Sequence, residues 1–310
     1  MNPRRRRAWL GYRFASGFLA LPLGVYAVFA VSPFVQTFAL AFTDWSGLTP
    51  GMHFTGTANL RRLVHDELFW TALGHSTVLL LVLPLVTLAL GLFFAFMVNA
   101  GGRRGAAVAG VRGSGLYKVV YFFPQMLSIS IVAVLWQSVY NPVGGALNAG
   151  LGAVGLGALQ QTWLGDPGLA LGCVTAVMVW SNVGFHVVLF SAAMASIPAE
   201  IHEAALLDGA GRAATFFRIT LPLLRDTVRT GWVYLGIIAL DAFAVVQIMT
   251  VGPGGPDYST EVLGRYLYKK AFDEGQAGYA GTLGLALLLV TMVFAAAVLG
   301  LGRRRERIEY

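Results

Sequence analysis

Charged residues and cysteines are scarce in this sequence, and each shortage excludes a class of protein. Only 12% of the 310 residues are charged, which is about half the fraction usual in soluble globular domains. The single cysteine, Cys173, lies in an apolar run, which excludes a disulfide framework and a cysteine metal site. Apolar residues make up 56% of the chain, and its mean hydropathy is +0.67. The composition therefore indicates an integral membrane protein.

Motifs for nucleotide binding and covalent catalysis are also missing. The glycines of residues 110–115 have phosphate-loop spacing, but Leu116 stands where that loop requires lysine, and no buried strand precedes it. The chain has no Gly-x-Ser-x-Gly elbow, and its five histidines are scattered. We predict that this chain is not an enzyme and holds no cofactor or metal. Uphill transport by such a chain needs an energy source on a separate subunit.

Six apolar runs are each close to the ~20 residues that the hydrocarbon core of a bilayer demands. They cover residues 14–42, 72–98, 117–139, 169–194, 231–251 and 278–301. The first run follows a cluster of arginines, as in a signal peptide, but it is about twice as long as the apolar region of such a peptide. We therefore interpret it as a spanning helix. The prediction is an all-α membrane protein with six transmembrane helices in one domain, residues 14–301.

Lysine and arginine are distributed unevenly between the two sides of this arrangement. Seventeen of the 22 lie in residues 1–13, 99–118, 195–230 and 302–310. The other five lie in the alternate loops. The positive-inside rule then makes both termini cytoplasmic, in a multi-pass protein of the plasma or inner membrane. Residues 1–13 and 302–310 are the basic cytoplasmic tails. The net charge of +7 follows from this topology, so lipid is expected as a neighbour and nucleic acid is not.

Residues 198–222 form a polar interruption between the fourth and fifth apolar runs. Pro198 suits the first helical position, where its missing N–H would have no partner. Gly209 is placed to end the helix in the left-handed conformation. A second helical stretch follows as far as Pro222, where we expect a kink. Carboxylates in the first turns and a pair of alanines indicate a short helix that can enter a cleft of another protein.

This segment resembles the EAA signature of the permease subunits of ABC importers. The residues that match are Glu203, Ala204, Ala205, Gly209, Ile219, Leu221 and Pro222, and Asp208 beside them resembles the carbohydrate-uptake branch of the maltose and glycerol-phosphate type. In that family the segment is a coupling helix that docks onto a cytoplasmic ATPase. The alternative interpretation is an ordinary amphipathic hairpin in an unrelated membrane protein.

The resemblance covers about residues 15–301 and implies the type I permease fold of ABC importers. It implies a second homologous permease, ATPase subunits that carry ATP and magnesium, an extracytoplasmic solute-binding protein and a carbohydrate solute. In the external loops, Asn141-Pro142, Trp163-Leu164 and the glycine-proline run 252–256 add to the likeness. Leu60, where an aromatic residue is expected, departs from it. The implied function is a permease subunit that forms half of the translocation pathway of a sugar importer.

Few polar side chains lie inside the apolar runs, and such residues are functional candidates by default. Asn182 and His186 share a face of the fourth run at i, i+4. Asp241 is a carboxylate deep in the fifth run, and Gln247 lies nearby in depth. Amides and carboxylates beside aromatic rings suit sugar binding, so these four residues are predicted to line the solute path. The alternative is that Asp241 and His186 only satisfy each other between packed helices.

An ion-coupled secondary carrier is the alternative function, with Asp241 and His186 as a proton relay. Such a carrier predicts an internal inverted repeat, and we see none in the sequence. It also has no need of an EAA segment.

Overall fold

The computed structural model describes residues 16–48, 50–99, 102–104, 107–109, 114–250, 252 and 254–303. The chain divides into two compact units, Met1–Asp66 with Leu267–Ala286, and Glu67–Tyr266 with Leu287–Tyr310, which we describe separately. The predicted basic tail 1–13 lies outside the described residues, as does most of the tail 302–310.

Helices account for nearly all of the regular structure. In chain order they are α1 (Ser16–Leu40), α2 (Ala58–Val64), α3 (Glu67–Asn99), α4 (Ser114–Phe122), α5 (Ile129–Val139), α6 (Ala146–Ala153), α7 (Ala170–Ala195), α8 (Ala199–Leu207), α9 (Arg212–Thr215), α10 (Arg225–Leu240), α11 (Phe243–Met249), α12 (Leu263–Tyr268) and α13 (Ala277–Arg303). Between α3 and α4, strands β1 (Gly102–Arg104) and β2 (Ala107–Ala109) form an antiparallel pair. The predicted helical class is confirmed. This hairpin was not predicted, because strands of three residues are too short to be recognised from a sequence pattern.

Within the described residues, four helices are long and apolar enough to cross a membrane, namely α1, α3, α7 and residues 277–300 of α13. Two bent pairs are also candidates: Gly115–Met126 with α5, at 95°, and α10 with α11, at 48°. Counting each bent pair as one span gives six, which agrees with the number predicted from the sequence.

The continuous spans predicted over 117–139 and 231–251 are therefore interrupted. In the first, Pro124 lies in a 3-10 turn, and Ser128 has an extended backbone and accepts a hydrogen bond from the amide of Ser130. Proline has no N–H to continue the ladder, and serine is a favoured N-cap. In the second, Asp241 (φ −93°, ψ 30°) ends α10, and α11 begins two residues later.

Glycines allow the helices of the second unit to approach closely. A Cβ on Gly91 of α3 would lie 2.9 Å from the Cβ of His186 on α7, and a Cβ on Gly231 of α10 would lie 2.7 Å from Leu88 of α3. A Cβ on Gly184 would overlap the carbonyl oxygen of Tyr121. Helix packing in lipid depends on such small residues, because the hydrophobic effect gives little drive for association there.

A network centred on Asn148 fixes the loop between α5 and α7. The Oδ1 atom of Asn148 accepts from the indole N–H of Trp163 at 2.8 Å and from the amide of Gln161 at 3.3 Å. Its Nδ2 donates to the carbonyl of Gln161 at 3.0 Å, and Nε2 of Gln160 donates to the backbone carbonyl of Asn148 at 2.8 Å. The loop is therefore a folded structure and not the flexible connector that its glycines allow.

In the first unit, one tyrosine connects α13 to the end of α2. The hydroxyl of Tyr279 donates to Oδ2 of Asp66 at 2.5 Å, and the guanidinium carbon of Arg62 lies 4.1 Å from the centre of the tyrosine ring. The amide of Gly278 donates to the carbonyl of Trp45 at 2.9 Å. The start of α13 is thus joined to the loop after α1 by a backbone bond and to the segment after α2 by a side-chain bond.

Candidate functional site

The segment with the EAA spacing begins with a short exposed helix. Pro198 (φ −54°, ψ 137°) is the N-cap of α8 and not its first helical residue as predicted, so the helix starts one position later. Glu200, Glu203 and Ala204 are exposed, whereas Ala205 is 4% exposed. The helix therefore rests on the face of Ala205 and presents its carboxylates outward.

A glycine ends α8 in the predicted left-handed conformation. Gly209 has φ +72°. Its amide donates to the carbonyl of Leu206 at 3.1 Å, and the amide of Ala210 donates to that of Ala205 at 2.9 Å. These two bonds are those of a Schellman motif, which confirms the predicted role of the glycine. Asp208 and Leu207, just before the glycine, are both exposed, so the end of α8 carries an acidic and apolar surface.

The second half of the segment is wound differently from the prediction. After α9, a π-helical turn covers Phe216–Thr220 and includes Ile219, and a short helical turn covers Leu221–Leu223. A kink was predicted at Pro222; a π-helical turn precedes the proline, helical turns continue through it, and the first non-helical residue is Leu224 (φ −86°, ψ 3°). The ring of Phe216 packs against Phe96, with centroids 4.6 Å apart, which attaches the segment to the end of α3.

The predicted solute-path residues of α7 lie inside the packed helices. Asn182 is 5% exposed and donates to the carbonyl of Met178 at 2.8 Å. His186 is fully buried, with Nδ1 2.9 Å from the carbonyl oxygen of Asn182. A carbonyl only accepts, so Nδ1 carries the proton of this hydrogen bond. The other ring nitrogen, Nε2, is buried and makes no hydrogen bond to any residue in the described part of the chain.

Aromatic rings surround His186 and separate it from the surface. Phe185, Phe190 and Tyr234 have ring centroids 5.2, 6.3 and 6.1 Å from that of the histidine. Tyr234 itself is 40% exposed. His186 therefore lies behind the exposed ring of Tyr234, which belongs to α10.

Asp241 and Gln247 lie on the surface, on either side of the break between α10 and α11. Both side chains are exposed. Along α10, Tyr234, Ile237 and Asp241 form an exposed stripe at i, i+3 and i+7. No hydrogen bond joins Asp241 to His186 among the residues that the structure describes, so the two do not satisfy each other as the alternative interpretation proposed.

Gln247 is connected to a buried ion pair that the sequence reasoning missed. Arg265 donates from Nε to Oε1 of Gln247 at 3.1 Å and from Nη1 to Oε2 of Glu261 at 2.6 Å. The side chains of Arg265 and Glu261 are 6% and 0% exposed. From the sequence, Arg265 counted only as a charge of an external loop. The sequence signal that could have revealed the pair is the i, i+4 spacing of Glu261 and Arg265, shortly after the glycine-proline run 252–256.

An apolar groove of about 890 Å³ also lies in the second unit. Val82, Val86 and Leu90 of α3 and Val179 and Trp180 of α7 are among its lining residues. Tyr121, Thr175 and Trp180 are the only lining side chains with a hydrogen-bonding group, so the groove is mainly apolar. Metal ligands are not grouped either: no cluster of three His, Cys, Asp or Glu side chains occurs in the described ranges.

Residues 101–307 match the model of one protein family, the binding-protein-dependent transport system inner membrane component. The chain belongs to this family. It is therefore a multi-pass membrane protein and a transport permease, not an enzyme, and a solute-binding protein is its partner. The resemblance that the EAA spacing indicated is confirmed.

Individual relatives agree with the family. The diacetylchitobiose uptake system permease protein of Streptomyces coelicolor is 42% identical over 299 residues, which are 96% of this chain and 84% of that protein. The multiple sugar-binding transport system permease protein of Streptococcus mutans is 32% identical over 289 residues, 93% of this chain and 95% of that protein. These matches support a binding-protein-dependent importer, and none of them supports the ion-coupled carrier.

The fold is also that of a solved importer. A chain in the crystal structure of a bacterial ABC transporter involved in the import of the acidic polysaccharide alginate has a TM-score of 0.81 to this chain at 23% identity, covering 97% of this chain and 98% of that one. The expected fold of an ABC importer permease is therefore confirmed.

Proposed function

We propose that this chain pairs with a second homologous permease and forms half of the translocation path of an ATP-driven carbohydrate importer. The observation that carries the proposal is the EAA segment: α8 projects Glu203 outward and ends at Gly209 in a Schellman motif. A short helix with a sharp, defined end suits docking into a cleft of a separate ATPase. ATP and magnesium would be held by that ATPase, since this chain lacks a phosphate loop with its lysine.

The proposed solute is a neutral oligosaccharide of the diacetylchitobiose type. The support is the 42% identity to a diacetylchitobiose uptake permease over nearly the whole chain. Other relatives bear names that refer to xylose and arabinose or to lactose, at 31% and 28% identity. Carbohydrate is therefore the common class, and diacetylchitobiose is the first solute to test.

The exposed face at the helix break is the proposed solute path. Asp241 and Gln247 are exposed there and would contact the solute, and the exposed ring of Tyr234 would supply an apolar face. Asn182 and His186 are buried, and His186 packs against that ring, so in this proposal His186 holds Tyr234 in place and the carbonyl of Asn182 orients His186. Both termini and the EAA segment lie on the cytoplasmic side, because the lysines and arginines are concentrated there.

Glu203 and Gly209 provide the test of the coupling role. In a cleft, Glu203 would pair with a basic residue of the ATPase, and truncating one partner of a desolvated pair costs roughly 2–5 kcal/mol. Gly209→Ala places a Cβ in the left-handed region, which costs about 1–2 kcal/mol and redirects α8. We expect both variants to assemble in proteoliposomes and to bind the solute-binding protein, but to lose solute-stimulated ATP hydrolysis and uptake.

Glu200→Ala is the matched control, because Glu200 is an exposed glutamate of the same helix outside the EAA positions. It should retain stimulated ATPase activity. Normal stimulation and uptake in both Glu203→Ala and Gly209→Ala would show that this segment does not couple the two subunits.

A further inference from the structure

We propose that Arg265 fixes Gln247 as a hydrogen-bond donor toward the solute, so that this point of the path selects an accepting oxygen of the carbohydrate. The inference rests on the proposed function, because it takes Gln247 as part of the solute path. It adds the chemical role of the side chain there and names the residue that imposes it.

The orientation of the Gln247 amide follows from the chemistry of its neighbour. A guanidinium group carries five N–H donors and no acceptor. The Nε atom of Arg265 lies 3.1 Å from Oε1 of Gln247, so the carbonyl end of the amide faces the arginine. The Nε2 end, with its two hydrogens, is turned away from it. Gln247 is exposed, and its Nε2 donates to no residue in the part of the chain that the structure describes.

Arg265 cannot rotate freely to release this orientation. Its Nη1 atom is bound to Oε2 of Glu261 at 2.6 Å, and both side chains are almost completely buried. The backbone that carries the pair is held by α3: Nδ1 of His75 lies 2.9 Å from the carbonyl oxygen of Glu261, and the hydroxyl of Ser76 accepts from the amide of Leu263 at 3.0 Å. The donor that meets Gln247 is therefore preorganised.

The glycine-rich loop before Glu261 closes over the same carboxylate. Gly254 has φ +79°, and a Cβ at this position would overlap Oε2 of Glu261. The amide of Thr260 donates to the carbonyl of Gly254 at 2.8 Å, which closes the loop. Glycine at this position thus leaves space for the carboxylate that anchors Arg265.

Two outward N–H groups suit the oxygen atoms of a neutral carbohydrate. Hydroxyl oxygens accept hydrogen bonds, and the acetamido groups of diacetylchitobiose add carbonyl oxygens, which only accept. A site that hydrogen-bonds a solute discriminates strongly against a solute that leaves its polar group unpaired. Gln247 would therefore contribute to solute choice as well as to passage.

The first experiment distinguishes the loss of the two N–H donors of Gln247 from the loss of its whole side-chain amide. Gln247→Glu keeps an acceptor for Arg265 but replaces both donors with an acceptor oxygen, whereas Gln247→Ala removes the whole amide. Uptake kinetics are measured in cells with the complete importer. The probe is the first of radiolabelled diacetylchitobiose, lactose and xylose that the wild type takes up. We expect the KM of both variants to rise about tenfold, which corresponds to one hydrogen bond of ordinary strength.

Gln137→Glu, a change of the same chemistry at an exposed glutamine of α5, is the control and should leave KM unchanged. If Gln247→Ala has wild-type kinetics, Gln247 lies outside the path and the path assignment of the proposed function fails. If Gln247→Ala is impaired but Gln247→Glu is not, the path assignment stands and the donor inference is overturned.

A double-mutant cycle tests whether Arg265 acts through Gln247. Arg265→Lys keeps a charge for Glu261, but one ammonium group does not reproduce the two divergent bonds of the guanidinium. If the arginine positions the amide, Arg265→Lys with Gln247→Ala should have the same KM as Gln247→Ala alone. A purely structural role for Arg265 would instead lower the amount of importer in the membrane or add to the loss in KM, and would overturn the positioning role.

Discussion

Gly91 of α3 lies directly against His186 of α7, so that a methyl group on the glycine would come within 2.9 Å of the histidine Cβ. The contact explains why the polar imidazole ring of His186 can be fully buried between α3 and α7. The glycine provides the space, and the ring occupies it. It also gives a direct prediction about packing.

Gly91→Val should destabilise the protein, because the added side chain must displace His186 or separate the two helices. Overpacking of this kind typically costs 1–3 kcal/mol. Gly74→Val on the same helix is the control, since a Cβ at Gly74 meets nothing within 4 Å. The measurement is the Tm of the detergent-solubilised complex. Equal Tm values for the two variants would contradict the close contact.

Glu261→Ala should be more damaging than the loss of any exposed ion pair. It leaves the Arg265 charge buried without its main partner, and breaking a buried pair in this way costs roughly 3–5 kcal/mol. The comparison is Asp226→Ala, which removes a pair whose aspartate side chain is 86% exposed and should change little. Yield and Tm of the assembled importer measure both effects. A smaller loss for Glu261→Ala than for Asp226→Ala would show that the buried pair is not structural.

Asn148→Ala should release the loop between α5 and α7 without unfolding the helices. The substitution removes the acceptor of the Trp163 indole and of the Gln161 amide, at a cost of about 1–3 kcal/mol if these groups stay buried. Hydrogen exchange at Gln161 should become faster. Asn141→Ala is the control, because among the described residues the Asn141 side chain accepts only from the amide of Val143, two positions later. Unchanged exchange at Gln161 in the Asn148 variant would rule out the central role of this network.

The sequence contains the information for several of these features and lacks it for others. The apolar runs predict the helices that could span a membrane, because burial in lipid is a property of local composition. The Schellman end at Gly209 is predictable for a similar reason, since a glycine in the left-handed region is a local preference.

Features that depend on contacts between distant residues were not predictable in this way. Asp241 looked like a carboxylate in the middle of a continuous helix, and the break that exposes it has no proline or glycine to mark it. The burial of Arg265 depends on α3, whose residues 75 and 76 bind the backbone of a segment more than 180 positions later. Such placements require the assembled helices.

The break at Asp241 has a consequence for how the protein is made. The seven residues of α11 would extend only about 10 Å as a helix, and the sixteen of α10 about 24 Å, so neither reaches across a ~30 Å hydrocarbon core alone. We therefore expect residues 225–249 to enter the bilayer as one segment. Unpaired backbone groups are costly in lipid, so the bend belongs to the stage at which α11 packs against α5. We therefore expect two steps, insertion of residues 225–249 as one segment and then the helix packing that bends it at Asp241.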